Sequence, residues 1–213
     1  VRLGFSVKHG MTLLFIVENK EKHMQLVFYF DQTRCTGCWT CMVACKDWND
    51  ISAGPANWMR VSTIQKGKYP DVFTAFMATP CYHCAEPACI PACPVNAITK
   101  REKDGIVLVD TAACLGKDEC GLCLEACPYE APQFGEETNP KMQKCNFCVD
   151  RWEDGKLPIC VAACPTRALD AGPIEEMEAK YGQVHIAEGF QYDAKLKPSV
   201  ICKPKPVVSL AHK

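Results

Sequence analysis

Cys35-Thr-Gly-Cys-Trp-Thr-Cys-Met-Val-Ala-Cys45 sets four cysteines at the spacing C-x2-C-x2-C-x3-C. Two intervening residues let a chain curl around a compact inorganic core with amide N–H groups aimed at the sulfurs. The fourth cysteine lies on what reads as a short helical turn. There it faces away from its own loop and serves the other member of a cluster pair. Three more sets follow: Cys81, Cys84, Cys89 and Cys93; Cys114, Cys120, Cys123 and Cys127; Cys145, Cys148, Cys160 and Cys164. Pro94, Pro128 and Pro165 directly follow the last cysteine of their sets, as in two-cluster bacterial ferredoxins, whereas Lys46 holds that place in the first. Sixteen of the seventeen cysteines are thereby accounted for as ligands of four iron-sulfur clusters. Helical turns are expected over 41–45, 123–127 and 160–164, with Gly37 and Gly121 taking left-handed angles in the tight loops.

Rival uses of cysteine fit less well. A disulfide framework belongs to short secreted chains, and Cys-x-x-Cys is poor disulfide geometry. Structural zinc takes its thiolates two plus two rather than three plus one before a proline. A radical initiator would need C-x3-C-x2-C, a spacing that no triple here has. His83, between Cys81 and Cys84, is of a type that binds iron in Rieske centres, but a full cysteine quartet leaves it no vacancy. Trp39 inside the first loop is read as a hydrophobic cover or a partner contact. Cys202, outside every set, is read as an ordinary packed thiol. There is no G-x-G-x-x-G or P-loop, so neither a nucleotide nor a nucleic acid is an expected ligand.

The 213 residues carry a formal net charge of -1, and 48% are hydrophobic, a figure inflated by cysteine. Each oxidised cubane with four thiolates adds roughly two negative charges, so the loaded protein is expected to be acidic. Lys46, Lys100, Arg101, Lys144 and Arg151 lie near cysteine loops in sequence and can offset that charge. The longest apolar stretch, residues 11–17, is far short of the roughly twenty residues a membrane-spanning helix needs. It leads into Glu18-Asn-Lys-Glu-Lys22 rather than a cleavage site, and no twin arginine precedes it. Neither a signal peptide nor a membrane anchor is expected.

An extended apolar run precedes each of the first three sets, at residues 26–30, 72–77 and 106–109. A second small repeat follows the last cysteines: Pro94-Val-Asn-Ala-Ile98, Pro128-Tyr-Glu-Ala-Pro132 and Pro165-Thr-Arg-Ala-Leu169. The expected fold class is α+β: two ferredoxin-like modules with inserts, each binding two [4Fe-4S] clusters. Residues 1–23 read as an N-terminal extension and 24–172 as the nested modules. Residues 173–213 read as a helix over 174–181 and a Lys- and Pro-rich tail expected to lie along a partner or the module surface. The insert over 46–80 and a polar loop over 150–158 are expected to form partner surface.

Residues 35–50, 123–134 and 160–173 resemble the four-cluster subunit of dimethyl sulfoxide reductase-type molybdopterin oxidoreductases, a resemblance that runs from about residue 24 to 205. It implies that the first and fourth sets pair, as do the second and third. Cys35, Cys38, Cys41 and Cys164 would then hold one cubane, and Cys145, Cys148, Cys160 and Cys45 its neighbour. Cys81, Cys84, Cys89 and Cys127 would hold the third, and Cys114, Cys120, Cys123 and Cys93 the fourth. One departure is plain. The family places two residues between the first two cysteines of the third set, and here stand five, Leu115-Gly-Lys-Asp-Glu119, with Lys117 at the usual ligand position. Either they loop out and Cys114 binds, the favoured reading because Gly116 supplies flexibility, or that site carries a [3Fe-4S] cluster.

The implied function is a non-catalytic relay of single electrons in anaerobic respiration. Its partners would be a molybdenum or tungsten molybdopterin catalytic subunit and a membrane quinone-reactive anchor subunit. Localisation would be peripheral, at either membrane face, through those partners. The alternatives are a soluble polyferredoxin carrier and the iron-sulfur subunit of a formate dehydrogenase or hydrogenase-type complex.

Overall fold

A computed structural model describes residues 24–207; the N-terminal extension expected over 1–23 lies outside them. Mixed α and β structure is built around strand β1 (Leu26–Asp31), every residue of which is buried. β1 is the middle of a three-stranded sheet, pairing antiparallel with β6 (Leu169–Pro173) and parallel with β7 (Val200–Lys203). Its unbroken apolar run follows from burial on both faces. Leu26, Phe28 and Phe30 enter the main core beside the cysteine loops, whereas Val27 and Tyr29 pack with Met177 and Ile201 under helix α5 (Ile174–Tyr181). Tyr29 stacks on Tyr181 with ring centroids 3.6 Å apart. α5 carries Glu175 and Glu176 in its first turn and Lys180 in its last, matching the helix dipole.

The insert between the first two cysteine sets forms a hairpin, β2 (Arg60–Lys68) and β3 (Asp71–Thr79). Its root is buried through Ala75, Met77 and Ala78, and Tyr69 at its tip is 93% exposed. A small hairpin of β4 (Ile98–Lys100) and β5 (Val107–Val109) backs a second core of Ile98, Val107, Cys123, Phe134 and Met142. The helices beside the cysteines are α1 (Thr40–Trp48), α2 (Leu122–Glu125), α3 (Val149–Glu153) and α4 (Ile159–Ala162). Among the described residues no helix is long and apolar enough to cross a membrane.

Three expectations need correction. The tail does not simply trail over a surface: Val200, Ile201 and Cys202 are at most 2% exposed as a sheet strand, because the backbone groups of β1 on that side need a partner. Residues 150–158 are not all loop. Left-handed Cys148 (φ 47°) turns the chain into α3, and Trp152 there packs edge-on against buried Phe147. Gly37 does take a positive φ, 69°, where a Cβ would meet the Phe76 ring at 2.3 Å; Gly121 does not, with φ -139°.

Candidate metal-cluster sites

The cysteines gather into four groups, each drawing on two sequence sets. Cys35, Cys38 and Cys41 line a cavity with Cys164, walled by Phe30, Trp39 and Leu169. Cys81, Cys84 and Cys89 line another with Cys127. Cys114, Cys120 and Cys123 line a third with Cys93. Cys45, Cys145, Cys148 and Cys160 form the fourth group and are all buried, close enough for each to influence the others' ionisation. All seventeen cysteines are free of disulfides. Among the described residues no three His, Cys, Asp or Glu side chains converge to hold a single metal ion. Thiols gathered in fours around one cavity suit a polynuclear cluster.

The groups form a series. Cys41 lies beside Cys45 and Cys160, joining the first group to the all-buried one. Cys81 and Cys145 share the main core, joining that group to the third. Cys89 and Cys93 both pack on the second core, which joins the third group to the last. The two ends reach the surface. Exposed Cys38 stands with Trp39 and Val43, 48% and 64% exposed, at one end; Val95 and Leu122 are exposed at the other.

Burial disfavours the thiolate form at several of these cysteines. Burial, then repulsion from Cys35 and Cys164, pushes Cys41 up to about 12. Burial, then Cys148 and Cys41, does the same to Cys45. Burial, then Cys81, raises both Cys84 and Cys89 to about 12. Burial, then Cys114 and Cys120, takes Cys123 to about 11. Cys145 and Cys160 are driven well above the ordinary thiol value by complete burial and neighbouring cysteines. Cys38 alone is lowered, by the hydroxyl and amide of Thr40. Metal must displace the protons, so loading is coupled to thiol deprotonation.

The short repeat after the cysteine-proline pairs has a geometric purpose. In Cys-Pro-x-x-Ala the third residue after the cysteine is left-handed in all three copies: Asn96 at φ 52°, Glu130 at 50° and Arg167 at 56°. That turn aims the alanine N–H back at the sulfur. Ala97 donates to Cys93 Sγ at 3.3 Å, Ala168 donates to Cys164 Sγ at 3.3 Å, and the Ala131 amide donates to Cys127. Each alanine is buried, at 2%, 1% and 6% exposure for Ala97, Ala168 and Ala131. After Cys45, where Lys46 replaces proline, α1 runs on to Trp48. Asn49 then supplies the donor from its side chain: Nδ2 donates to the Cys45 carbonyl at 2.8 Å, lies 3.7 Å from Cys45 Sγ, and also serves Cys148. Asn49 was not singled out from sequence; the missing proline was the signal that could have found it.

The lengthened third set loops out. Asn139 Nδ2 donates to the Leu115 carbonyl and to Glu119, the Asp118 N–H donates to Asn139 Oδ1, and Lys141 Nζ donates to the Leu115 carbonyl. Gly116, at φ 96°, leaves room for Asn139 Oδ1, which a Cβ would meet at 1.9 Å. Lys117 sits over the Phe134 ring, and Cys114 stays on the cavity wall. His83 lies outside the cavity linings given above. Its Nδ1 accepts the Val107 N–H at 3.0 Å, and burial, then Lys144 and Lys100, holds its pKa well below the usual imidazole value. Cys202 is enclosed in β7, its thiol raised to about 12 by burial alone.

Comparison with known proteins identifies iron-sulfur relatives. A 4Fe-4S dicluster domain is matched over residues 72–174. The B component of anaerobic dimethyl sulfoxide reductase from Escherichia coli (strain K12) is 41% identical over 188 residues, covering 84% of this chain and 89% of that one. The protein of the same name from Haemophilus influenzae is 40% identical over 197 residues, covering 88% and 93%. The B component of sulfite dehydrogenase from Allochromatium vinosum is 36% identical over 200 residues, covering 84% and 80%.

Proposed function

The chain belongs to the family of iron-sulfur electron-transfer subunits that includes the B component of anaerobic dimethyl sulfoxide reductase, and on that premise we propose that its four cysteine groups are the stations of one electron relay. It is an iron-sulfur relay subunit of an anaerobic respiratory complex, in which a partner carries out catalysis. The observation behind the four-station reading is the series itself: four thiol groups joined one to the next, with Cys38 exposed at one end.

In this reading Cys35, Cys38, Cys41 and Cys164 hold the first [4Fe-4S] cluster, and Cys45, Cys145, Cys148 and Cys160 the second. Cys81, Cys84, Cys89 and Cys127 hold the third, and Cys93, Cys114, Cys120 and Cys123 the fourth. Bound there, each cluster supplies a centre that stores or releases one electron. The chain's own residues do the rest. The Ala97, Ala131 and Ala168 amides and the Asn49 amide donate to sulfurs and stabilise their negative charge. Phe30, Trp39 and Leu169 wall the first site against water. Two modules, one from the first and fourth sets and one from the second and third, keep the stations in order. The exposed residues at the two ends offer separate docking points. One suits a molybdopterin catalytic subunit, with molybdenum or tungsten, and the other a membrane-anchored quinone-reactive subunit. Association with the membrane then comes through these partners. The β2–β3 hairpin inserted between the first two sets, which a free carrier would not need, favours such a complex over a polyferredoxin.

The test is iron and sulfide content with electron paramagnetic resonance of anaerobically isolated protein. About sixteen irons are expected, four per cubane, with no three-iron signal in the oxidised protein. Stoichiometric zinc with little iron would refute the reading.

A further inference from the structure

The five cations that sequence places near the cysteine loops differ in what answers their charge. Lys46 reaches the Gly54 carbonyl and Asn57 at the surface. Arg101 pairs with Asp104 and Glu153, and Arg151 lies on the Trp48 ring, 4.6 Å from its centroid. Lys100 is partly buried and donates to the Cys84 and Ala85 carbonyls. Lys144 is the exception. It is 3% exposed, its Nζ donates to the carbonyls of Val107 and Cys145, and among the described residues no carboxylate lies within ion-pair distance of it.

Burying an ammonium without an opposite charge is strongly unfavourable, and two carbonyl dipoles offset only part of the lost hydration. The position supplies the missing anions. Lys144 lines the cavity of Cys81, Cys84, Cys89 and Cys127, and it immediately precedes Cys145 of the neighbouring group. It therefore stands where the two halves of the series meet, on the wall of the Cys81 cavity and hydrogen-bonded to the Cys145 carbonyl.

We propose that Lys144 is the shared counter-charge of the two middle stations, stabilising their reduced states and easing the electron's passage between the halves of the relay. One electron leaves one station and enters the next with no bond or proton exchanged. A fixed positive charge between them thus favours the extra electron on either side. The inference rests on the four-station reading. Failure of that reading shows as missing iron in the unaltered protein, whereas failure of this inference shows only in the variants below.

The experiment is redox potentiometry of the anaerobically isolated protein, following each cluster by electron paramagnetic resonance, for Lys144→Gln, Lys144→Met, Lys144→Arg and Lys103→Met. The two neutral Lys144 variants should shift the reduction equilibrium of two clusters at least tenfold toward oxidised, about 59 mV downward for a one-electron couple. The other two clusters should hold their potentials, and Lys103→Met, at an exposed ion pair with Glu153, should move none. Unshifted potentials, or an equal shift of all four, overturn the proposal. If the neutral variants lose the middle clusters, retention by Lys144→Arg supports the need for charge, and loss there too overturns it.

Discussion

Three cysteines that end their sets are followed by proline, and one, Cys45, is followed by lysine. At the three, proline stops the helical turn, a left-handed residue reverses the chain, and an alanine amide four positions after the cysteine bonds its sulfur. At Cys45 the helix continues, and the residue four positions on, Asn49, offers a side-chain amide instead. One electrostatic requirement, a donor for a sulfur, is met four positions on by backbone where the helix breaks and by side chain where it does not. The backbone version depends little on the identity of the residue that donates. The side-chain version depends on Asn49 at that position, beside the Met59 amide that also stabilises the Cys45 thiolate.

The most severe way to break this comparison is to remove one sulfur of each kind. Cys164→Ser and Cys45→Ser should each abolish or alter one of the four paramagnetic signals, and not the same one, because the two cysteines reach into different groups; a common lost signal would contradict the exchange. Lys46→Pro imposes the stop without the alanine that goes with it. It should cost about 3 kcal/mol, from a lost helical hydrogen bond and a ring clash, and appear as cluster bleaching at lower denaturant. A midpoint equal to the parent's would mean that α1 need not continue. Asn49→Leu removes only the donor. It should cost about 2 kcal/mol, the range for a hydrogen bond to a charged group, and lower the potential of the cluster near Cys45 and Cys148, while Ala168→Gly leaves its neighbouring cluster's potential in place. Cys202→Ala sharpens the inventory at the smallest scale: about 1 kcal/mol of stability lost and the iron content unchanged, as assayed colorimetrically.

Much of this architecture was legible because cysteine spacing is a local code. Strands β1, β3 and β5 and helix α5 fall where apolar runs and end charges put them. The bulge after Cys114 was legible too, since Gly116 marked a segment able to loop out. What escaped depended on distant packing. β7 has only Val200, Ile201 and Cys202 between lysines and prolines, too short for a period, and is a strand because β1 lies beside it. α3 owes its turn to Cys148 and its place to Trp152 against Phe147. Lys144 looked like any other basic residue beside a loop, and only its burial without a carboxylate separates it from Lys46 or Arg101.

The placement of β6 and β7 on either side of β1 sets an order of assembly. Two of the cysteine groups draw only on neighbouring stretches, the second and third sets, whereas Cys35 meets Cys164 only after nearly the whole cysteine-bearing chain is available. Closing a short loop loses less entropy than closing a long one. The groups of Cys81 and Cys114 can therefore gather their thiols while later residues are still emerging from the ribosome. The groups of Cys35 and Cys45, and the sheet that seals them, must wait for the fourth set and for β7. An interrupted synthesis would then leave the thiols of two stations gathered and those of the other two apart.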